Sequence, residues 1–238
     1  MVLYLGNTKV APIENRPCIL REVDSNGEFK IPSSAYNVVL HSSATKLGEY
    51  ALYYAYRSSG IKSFNANNIT EIEHYKNYAM NNAFYYCASL EEISFPELTT
   101  ISASNSMSYM CTHCTNLTKV NFPKLAVINW EASQFSYAFY YCTSLETISF
   151  PALQQMDIGT VFNNAFNNCT SLKHVYFPAL TTSSFGNVKT QFNNMLTNCS
   201  GCTVHFPSNL QSTISTWATP SNMKGTNTTV LFDLPATS

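Results

Sequence analysis

The chain has 238 residues, a formal net charge of -1, 11% charged side chains and 13% aromatic ones. That length fits one large domain or two small ones, and the near-balanced charge leaves no electrostatic footprint for nucleic acid or an anionic membrane. No apolar run approaches the ~20 residues that a membrane helix needs.

The opening, "MVLYLGNTKVAPIENR", has no basic start followed by an apolar stretch and a small-residue cleavage site, so it does not read as a secretory signal. Its "LYLGNTKVAP" resembles short N-terminal segments of prophage-encoded structural proteins. "CILREVDSNGEFKI" predicts a hairpin turned by Asn26-Gly27, and "AYNVVLHS" predicts a further strand. Residues 1–43 do not repeat. They read as a cap over the first repeat unit, because a bare parallel-sheet edge recruits other chains. The alternative is a docking module.

From about residue 44 the chain copies itself. "NNAFYYCASLEEISFPELTTI" at 81–101 returns as "SYAFYYCTSLETISFPALQQM" at 136–156. Cys87, Cys114, Cys142, Cys169 and Cys199 are separated by 27, 28, 27 and 30 residues. Leu90, Leu117, Leu145 and Leu172 follow the first four by three positions, then come Ile93, Val120, Ile148 and Val175. A Phe-Pro step closes each copy, at Phe95, Phe122, Phe150, Phe177 and Phe206. Ala83-Phe84, Ala138-Phe139 and Ala165-Phe166 precede their cysteines. With a degenerate first copy, "AYRSSGIKSFNANNITEI", there are six units. One unit of ~27 residues cannot bury its own apolar side; stacked units close that side into a continuous core. L-x-x-I-x-F is the strand, with I and F facing inward. AF-x-x-C reads as one helical turn, and equivalent residues form Phe, Leu and Cys ladders.

These units resemble the BspA-like leucine-rich repeats, read approximately as L-x-x-I-x-x-x-A-F-x-x-C-x-x-L-x-x-I. Extra Asn- and Ser-rich residues, as in "EHYKNYAMNN" and "SASNSMSYM", depart from the commoner shorter unit. The resemblance implies a right-handed leucine-rich-repeat solenoid, α/β in class. A parallel β-sheet would line one face and short helical turns the other, with repeats over 44–206 between caps at 1–43 and 207–238. It also implies bacterial surface proteins that mediate adhesion.

Eight cysteines admit core thiols, disulfides or metal. Cys111-Thr-His-Cys114 and Cys199-Ser-Gly-Cys202 have zinc-like spacing. Yet Cys114 and Cys199 share one ladder position three coils apart, roughly 15 Å at ~4.8 Å per coil, so they cannot share an ion. Cys111 takes a Phe slot and Cys202 falls near a Leu slot, so the core-thiol reading is favoured. Disulfides between adjacent coils stay open. Cys18 stands apart.

After the last repeat, "PSNLQSTISTWATP" predicts a helix with Ser208 as N-cap, Thr228–Leu234 a final strand, and Trp217 a plug for the open end. The sequons at Asn68, Asn116, Asn168, Asn198 and Asn227 read as incidental. The terminal "LPATS" lacks the tail of a sortase motif.

No Gly-rich phosphate loop, G-x-S-x-G elbow or HExxH is present, so no enzyme and no cofactor is expected. Stacking places outward strand residues in rows. Glu92, Lys119, Thr147 and His174 fall in one row, Tyr176 and His205 in the next; these six form the candidate ligand face. Tyr85, Tyr86, Tyr140 and Tyr141 are further candidates for contact. The expectation is a non-enzymatic binding or adhesion module for a protein or glycan ligand, with no nucleic acid and no membrane insertion. The alternative is a prophage-encoded structural or tail-accessory protein docking through its N-terminal segment.

Overall fold

The alternation of apolar and polar residues in L-x-x-I-x-F makes a short strand in each repeat, and stacking the repeats pairs those strands in parallel. The computed structural model describes residues 3–5, 8–10, 18–20, 37–40, 45–47 and 52, and residues 60–237 apart from 73–77, 103, 130–133, 157–158 and 186–189. Strands are numbered along the chain. β1 (Leu3–Leu5) and β2 (Thr8–Val10) form an antiparallel hairpin of their own. β3 (Cys18–Leu20), β4 (Asn37–Leu40), β6 (Ser63–Asn65), β8 (Glu92–Ser94) and β10 (Lys119–Asn121) form one parallel sheet. Next along the stack lie β12 (Thr147–Ser149), β14 (His174–Tyr176), β15 (Thr203–Pro207) and β16 (Thr229–Leu234), also parallel. A second strand per coil builds a second parallel sheet: β5 (Lys46–Leu47), β7 (Glu71–Ile72), β9 (Thr100–Ile101), β11 (Val127–Ile128) and β13 (Gln155–Met156). The result is a β-solenoid.

The N-terminal segment differs in one respect from a simple hairpin. Cys18–Leu20, expected as a hairpin arm, pairs in parallel with β4, as a further rung of the stack. The proposed Asn26-Gly27 turn lies outside the described residues.

The third side of each coil is where the sequence reading needs correcting. AF-x-x-C is not a helical turn but a ribbon of turns. Amides alternate in their use. Ala83 and Cys87 donate within the coil, to Met80 O and Phe84 O, at 3.0 Å each. Phe84 and Tyr86 donate across to Met110 O and Thr112 O of the next coil, at 2.8 Å each. The coil of 107–114 repeats the pattern, with Cys111 donating to Ala138 O at 2.7 Å and Cys114 to Cys111 O at 3.1 Å. A helix spends its interior amides on itself; this ribbon gives half of them to its neighbour. Every fourth residue takes positive φ, including Asn82 (55°), Tyr86 (61°), Tyr137 (53°), Tyr141 (59°), Asn164 (54°) and Asn168 (61°). Asn tolerates that region best among non-glycine residues, which accounts for the Asn-rich spacers.

The core runs the length of the stack. Phe95, Phe122, Phe150, Phe177 and Phe206 are buried and stack successively at centroid spacings of 5.4, 6.1, 5.5 and 5.6 Å. A second column, Phe135–Phe162–Phe192, stacks at 5.5 and 6.1 Å. Leu90, Leu117, Leu145 and Leu172 are buried as expected, and Cys202 occupies the next place in that column. Cys87, Cys114, Cys142, Cys169 and Cys199 have zero exposure, form one internal column and are free thiols, as are Cys111 and Cys202. Among the described residues no helix is long and apolar enough to cross a membrane.

At the C-terminal end the expected helix is broken into a 3-10 turn at Ser208–Leu210, α1 (Gln211–Ile214) and α2 (Pro220–Met223). Pro207, not Ser208, holds the N-cap position of the turn, without a side-chain bond. Thr219 caps α2 by accepting from Asn222 N at 3.2 Å. Trp217, 7% exposed, closes the core against Phe192 (6.0 Å) and Phe185 (5.0 Å).

Candidate functional site

The strand face carries the six residues expected to form a ligand surface, and strand register sorts them into two groups. Glu92 pairs with Lys119, and Thr147 with His174, which pairs with Thr203. Tyr176 pairs with His205. Glu92 and Lys119 form an exposed ion pair at 3.8 Å. With Asn121, Thr147 and Ser149 they line a shallow depression of about 470 Å³ between β10 and β12. These two strands are neighbours without a ladder.

His174, Tyr176 and His205 form the second group, which begins on the next strand, β14. His205 Nε2 lies 3.0 Å from His174 Nδ1, and Tyr176 stacks on the His205 ring at 4.3 Å. Sequence reasoning missed the fourth member, Asp233. Its carboxylate lies 2.9 Å from His205 Nδ1. It depends on the docking of a non-repeating strand: β16 adds in parallel beside β15, with His205 in register with Leu231, so Asp233 falls two residues on, on the same side. With His205 Nδ1–H donating to Asp233, His205 Nε2 is left to accept from His174 Nδ1–H. This chain ties the last coil to β16 and orients both imidazoles. Among the described residues, no group of three His, Cys, Asp or Glu side chains is placed to share a metal ion.

The turn face is different in chemistry. In each coil the positive-φ positions of the ribbon fall one and five residues before the cysteine. One column reads Tyr86, His113, Tyr141, Asn168, Asn198, the other Asn82, Tyr109, Tyr137, Asn164, Asn194. Tyr86 and His113 stack at 4.3 Å, and His113 and Tyr141 at 4.6 Å. Tyr109 and Tyr137 stack at 5.0 Å with parallel planes. Tyr85 and Tyr140 stand edge-on to their neighbours Tyr86 and Tyr141, at 4.6 and 4.7 Å. Tyr86 is 48% exposed and Tyr109 39%. Tyr85, Tyr86, Tyr140 and Tyr141 were candidates for contact from the sequence; Tyr109, His113 and Tyr137 were not. Their signal was the i−4 position, which only a four-residue ribbon makes meaningful.

Among the described residues, the turn ribbons carry no ionic side chain. Residues 78–90, 104–117, 134–145, 160–172 and 190–203 contain no Asp, Glu, Lys or Arg. Burial pushes the pKa of His113 below its usual value, so the ring is neutral at neutral pH. Burial, then the neighbouring tyrosines, raise the phenol pKa values of Tyr109 and Tyr140. The charges are found instead at the strands and their borders. There Lys46–Glu71, Lys62–Glu91, Lys124–Glu97 and Lys173–Glu146 bridge successive coils at 3.0, 3.8, 2.7 and 3.0 Å.

Comparison with known proteins agrees with the coil count. The pattern described as "BspA type Leucine rich repeat region" matches six copies over residues 25–137 and 80–219. Among curated proteins nothing matches. Among solved structures, a leucine-rich repeat protein from Bacteroides ovatus ATCC 8483 is 22% identical, with a TM-score of 0.42 over 86% of this chain and 54% of that one. The chain thus spans about half the length of that protein. The leucine-rich repeat protein TpLRR of T. pallidum is 20% identical, with a TM-score of 0.38 over 85% of this chain and 91% of that one. With six repeat copies matched across residues 25–219, the chain belongs to the BspA-type leucine-rich repeat family.

Proposed function

We propose that the chain is a non-enzymatic binding module that works in adhesion, presenting one rigid face of its solenoid to a protein or glycan ligand. The observation that carries this reading is the row of exposed, uncharged aromatic side chains on the turn face, with Tyr86 and Tyr109 the most exposed. Tyrosine offers a large contact area at small entropic cost and is enriched where proteins bind. The coil stack holds these rings at fixed spacing, so little ordering remains to oppose association. Weak contacts on many copies then add through avidity. A bacterial cell-surface setting accords with the family.

The strand face, with Glu92, Lys119, Thr147, His174, Tyr176 and His205, is the competing surface. Binding of the purified chain to an array of extracellular proteins and glycans tests both. Tyr86→Ala and Tyr109→Ala should weaken every positive signal, while Tyr176→Ala and His205→Ala leave it unchanged. The reverse pattern moves the site to the strands, and an array without signal overturns the binding reading.

A further inference from the structure

We propose that the border between the tyrosine-bearing and asparagine-bearing coils on the turn face is a binding site for an uncharged glycan. The proposal rests on the binding-module reading and names its ligand class.

Each aromatic column ends at the same step of the stack. Tyr141 is covered on one side by His113 at 4.6 Å, and Tyr137 on one side by Tyr109 at 5.0 Å. On the other side the columns continue with Asn168 and Asn164, which bring no ring. Tyr140 stands nearly perpendicular to both tyrosines, at 5.7 Å and 72° from Tyr137 and 4.7 Å and 76° from Tyr141. The three rings form a corner above a floor of shorter amides.

That floor is a wired network. Asn164 Nδ2 donates to Asn163 Oδ1 at 2.7 Å, Asn167 Nδ2 to Asn164 Oδ1 at 3.1 Å, and Asn168 Nδ2 to Asn167 Oδ1 at 2.6 Å. Each of these amide nitrogens has two hydrogens, so a donor remains on each. The network fixes the amides before any ligand arrives, as preorganised recognition requires. Ring faces beside fixed donors and acceptors suit a pyranose, which has an apolar C–H face and hydroxyls of both hydrogen-bonding senses. The lack of Asp, Glu, Lys and Arg in the two ribbon segments that meet here, 134–145 and 160–172, selects against ionic ligands, since a charged group docked between them is desolvated without a counter-charge.

Affinity electrophoresis of the full chain in gels containing laminarin, mannan, soluble starch or xyloglucan, with polygalacturonate as the anionic comparison, tests the assignment. At least one neutral polymer should retard the chain and polygalacturonate should not. Tyr137→Ala and Tyr141→Ala should each weaken that retardation roughly three- to tenfold, as expected for losing one aromatic contact. Asn167→Ala should weaken it too, and Tyr176→Ala on the strand face should not. Thermal melts confirm that the variants fold. The inference is overturned if no neutral polymer retards the chain, if polygalacturonate alone does, or if the tyrosine variants bind like the parent. A protein ligand, or a second copy of the chain, lost with Tyr141→Ala in the absence of glycan binding also overturns it. A protein ligand would leave the binding-module reading standing.

Discussion

A cysteine recurs in each coil because its thiol closes a backbone account between coils. Cys114 Sγ donates to Phe84 O at 3.1 Å, Cys142 to Cys111 O at 3.1 Å, Cys169 to Phe139 O at 3.0 Å and Cys199 to Phe166 O at 2.9 Å. The acceptor is always the carbonyl three residues before the preceding ladder cysteine, at the tightest point of the ribbon. A buried thiol is small, apolar and still a weak donor, and no aliphatic residue supplies all three properties. Cys142→Ala should therefore cost about 1–2 kcal/mol, from a small cavity and a lost hydrogen bond, read as a lowered urea midpoint. Burial raises the thiol pKa values of Cys111, Cys114, Cys142 and Cys169, and pushes Cys199 up to about 11 and Cys202 to about 12 from the usual 9.0. In the unfolded chain these thiols ionise first. The stability they confer is thus complete below about pH 9 and declines as pH rises toward the folded values of about 11 and 12. Urea unfolding at successive alkaline pH values checks the decline. At neutral pH a thiol reagent should leave the seven described cysteines unmodified until denaturant is added.

Among the elements, the strands were legible and the turn ribbons were not. Strand register follows from period-two alternation around Ile93, Ile148 and Val175, and identical copies pair in register by default. The ribbon has no propensity signature of that kind, because its geometry comes from hydrogen bonds donated to another coil. "NNAFYYC" reads locally as a helical turn, and the next coil overrides it. The trace left in the sequence is asparagine at four-residue spacing, seen at Asn164 and Asn168 and again at Asn194 and Asn198. Asn168→Gly should be tolerated, while Asn168→Val should cost about 1–2 kcal/mol, since a β-branched residue resists positive φ; paired thermal melts decide it. Within the candidate strand face, the clustering of His174, Tyr176 and His205 was legible from the rows, whereas Asp233 depended on where a non-repeating strand docks. Asp233→Ala leaves the buried His205 without its carboxylate and should lower stability by about 1–2 kcal/mol.

At the scale of the whole molecule the stack is not uniform: among the described residues, the step between the coils of β10 and β12 lacks strand-side bonds that its neighbours make. At other steps the residue following the conserved Leu donates to the preceding coil. Glu91 donates to Lys62 O at 2.8 Å, Thr118 to Glu91 O at 3.0 Å and Lys173 to Glu146 O at 2.8 Å. Glu146 makes no such bond to Thr118. Likewise Phe95, Phe150 and Phe177 donate to the next coil at Asn121 O, Tyr176 O and His205 O, and Phe122 does not donate to Ser149 O. The Phe122–Phe150 ring spacing of 6.1 Å exceeds the 5.4 and 5.5 Å of the flanking steps, and Val120 is only partly buried. Yet β11–β13 pairing and the turn-ribbon bonds from Cys111 and His113 to Ala138 O and Tyr140 O cross this step intact. The coils are therefore splayed on the strand side and closed on the turn side, which keeps the tyrosine columns continuous while opening the depression beside Lys119. In a repeat protein stability is a sum of unit and neighbour terms, so a step that loses one of its ladders is where the stack opens first. Native-state hydrogen exchange should show the amides of Glu146 and Phe122 exchanging faster than those of Thr118, Lys173, Phe95 and Phe150. Equal protection at all six would mean that the strand ladder is continuous in solution and that the depression is closed.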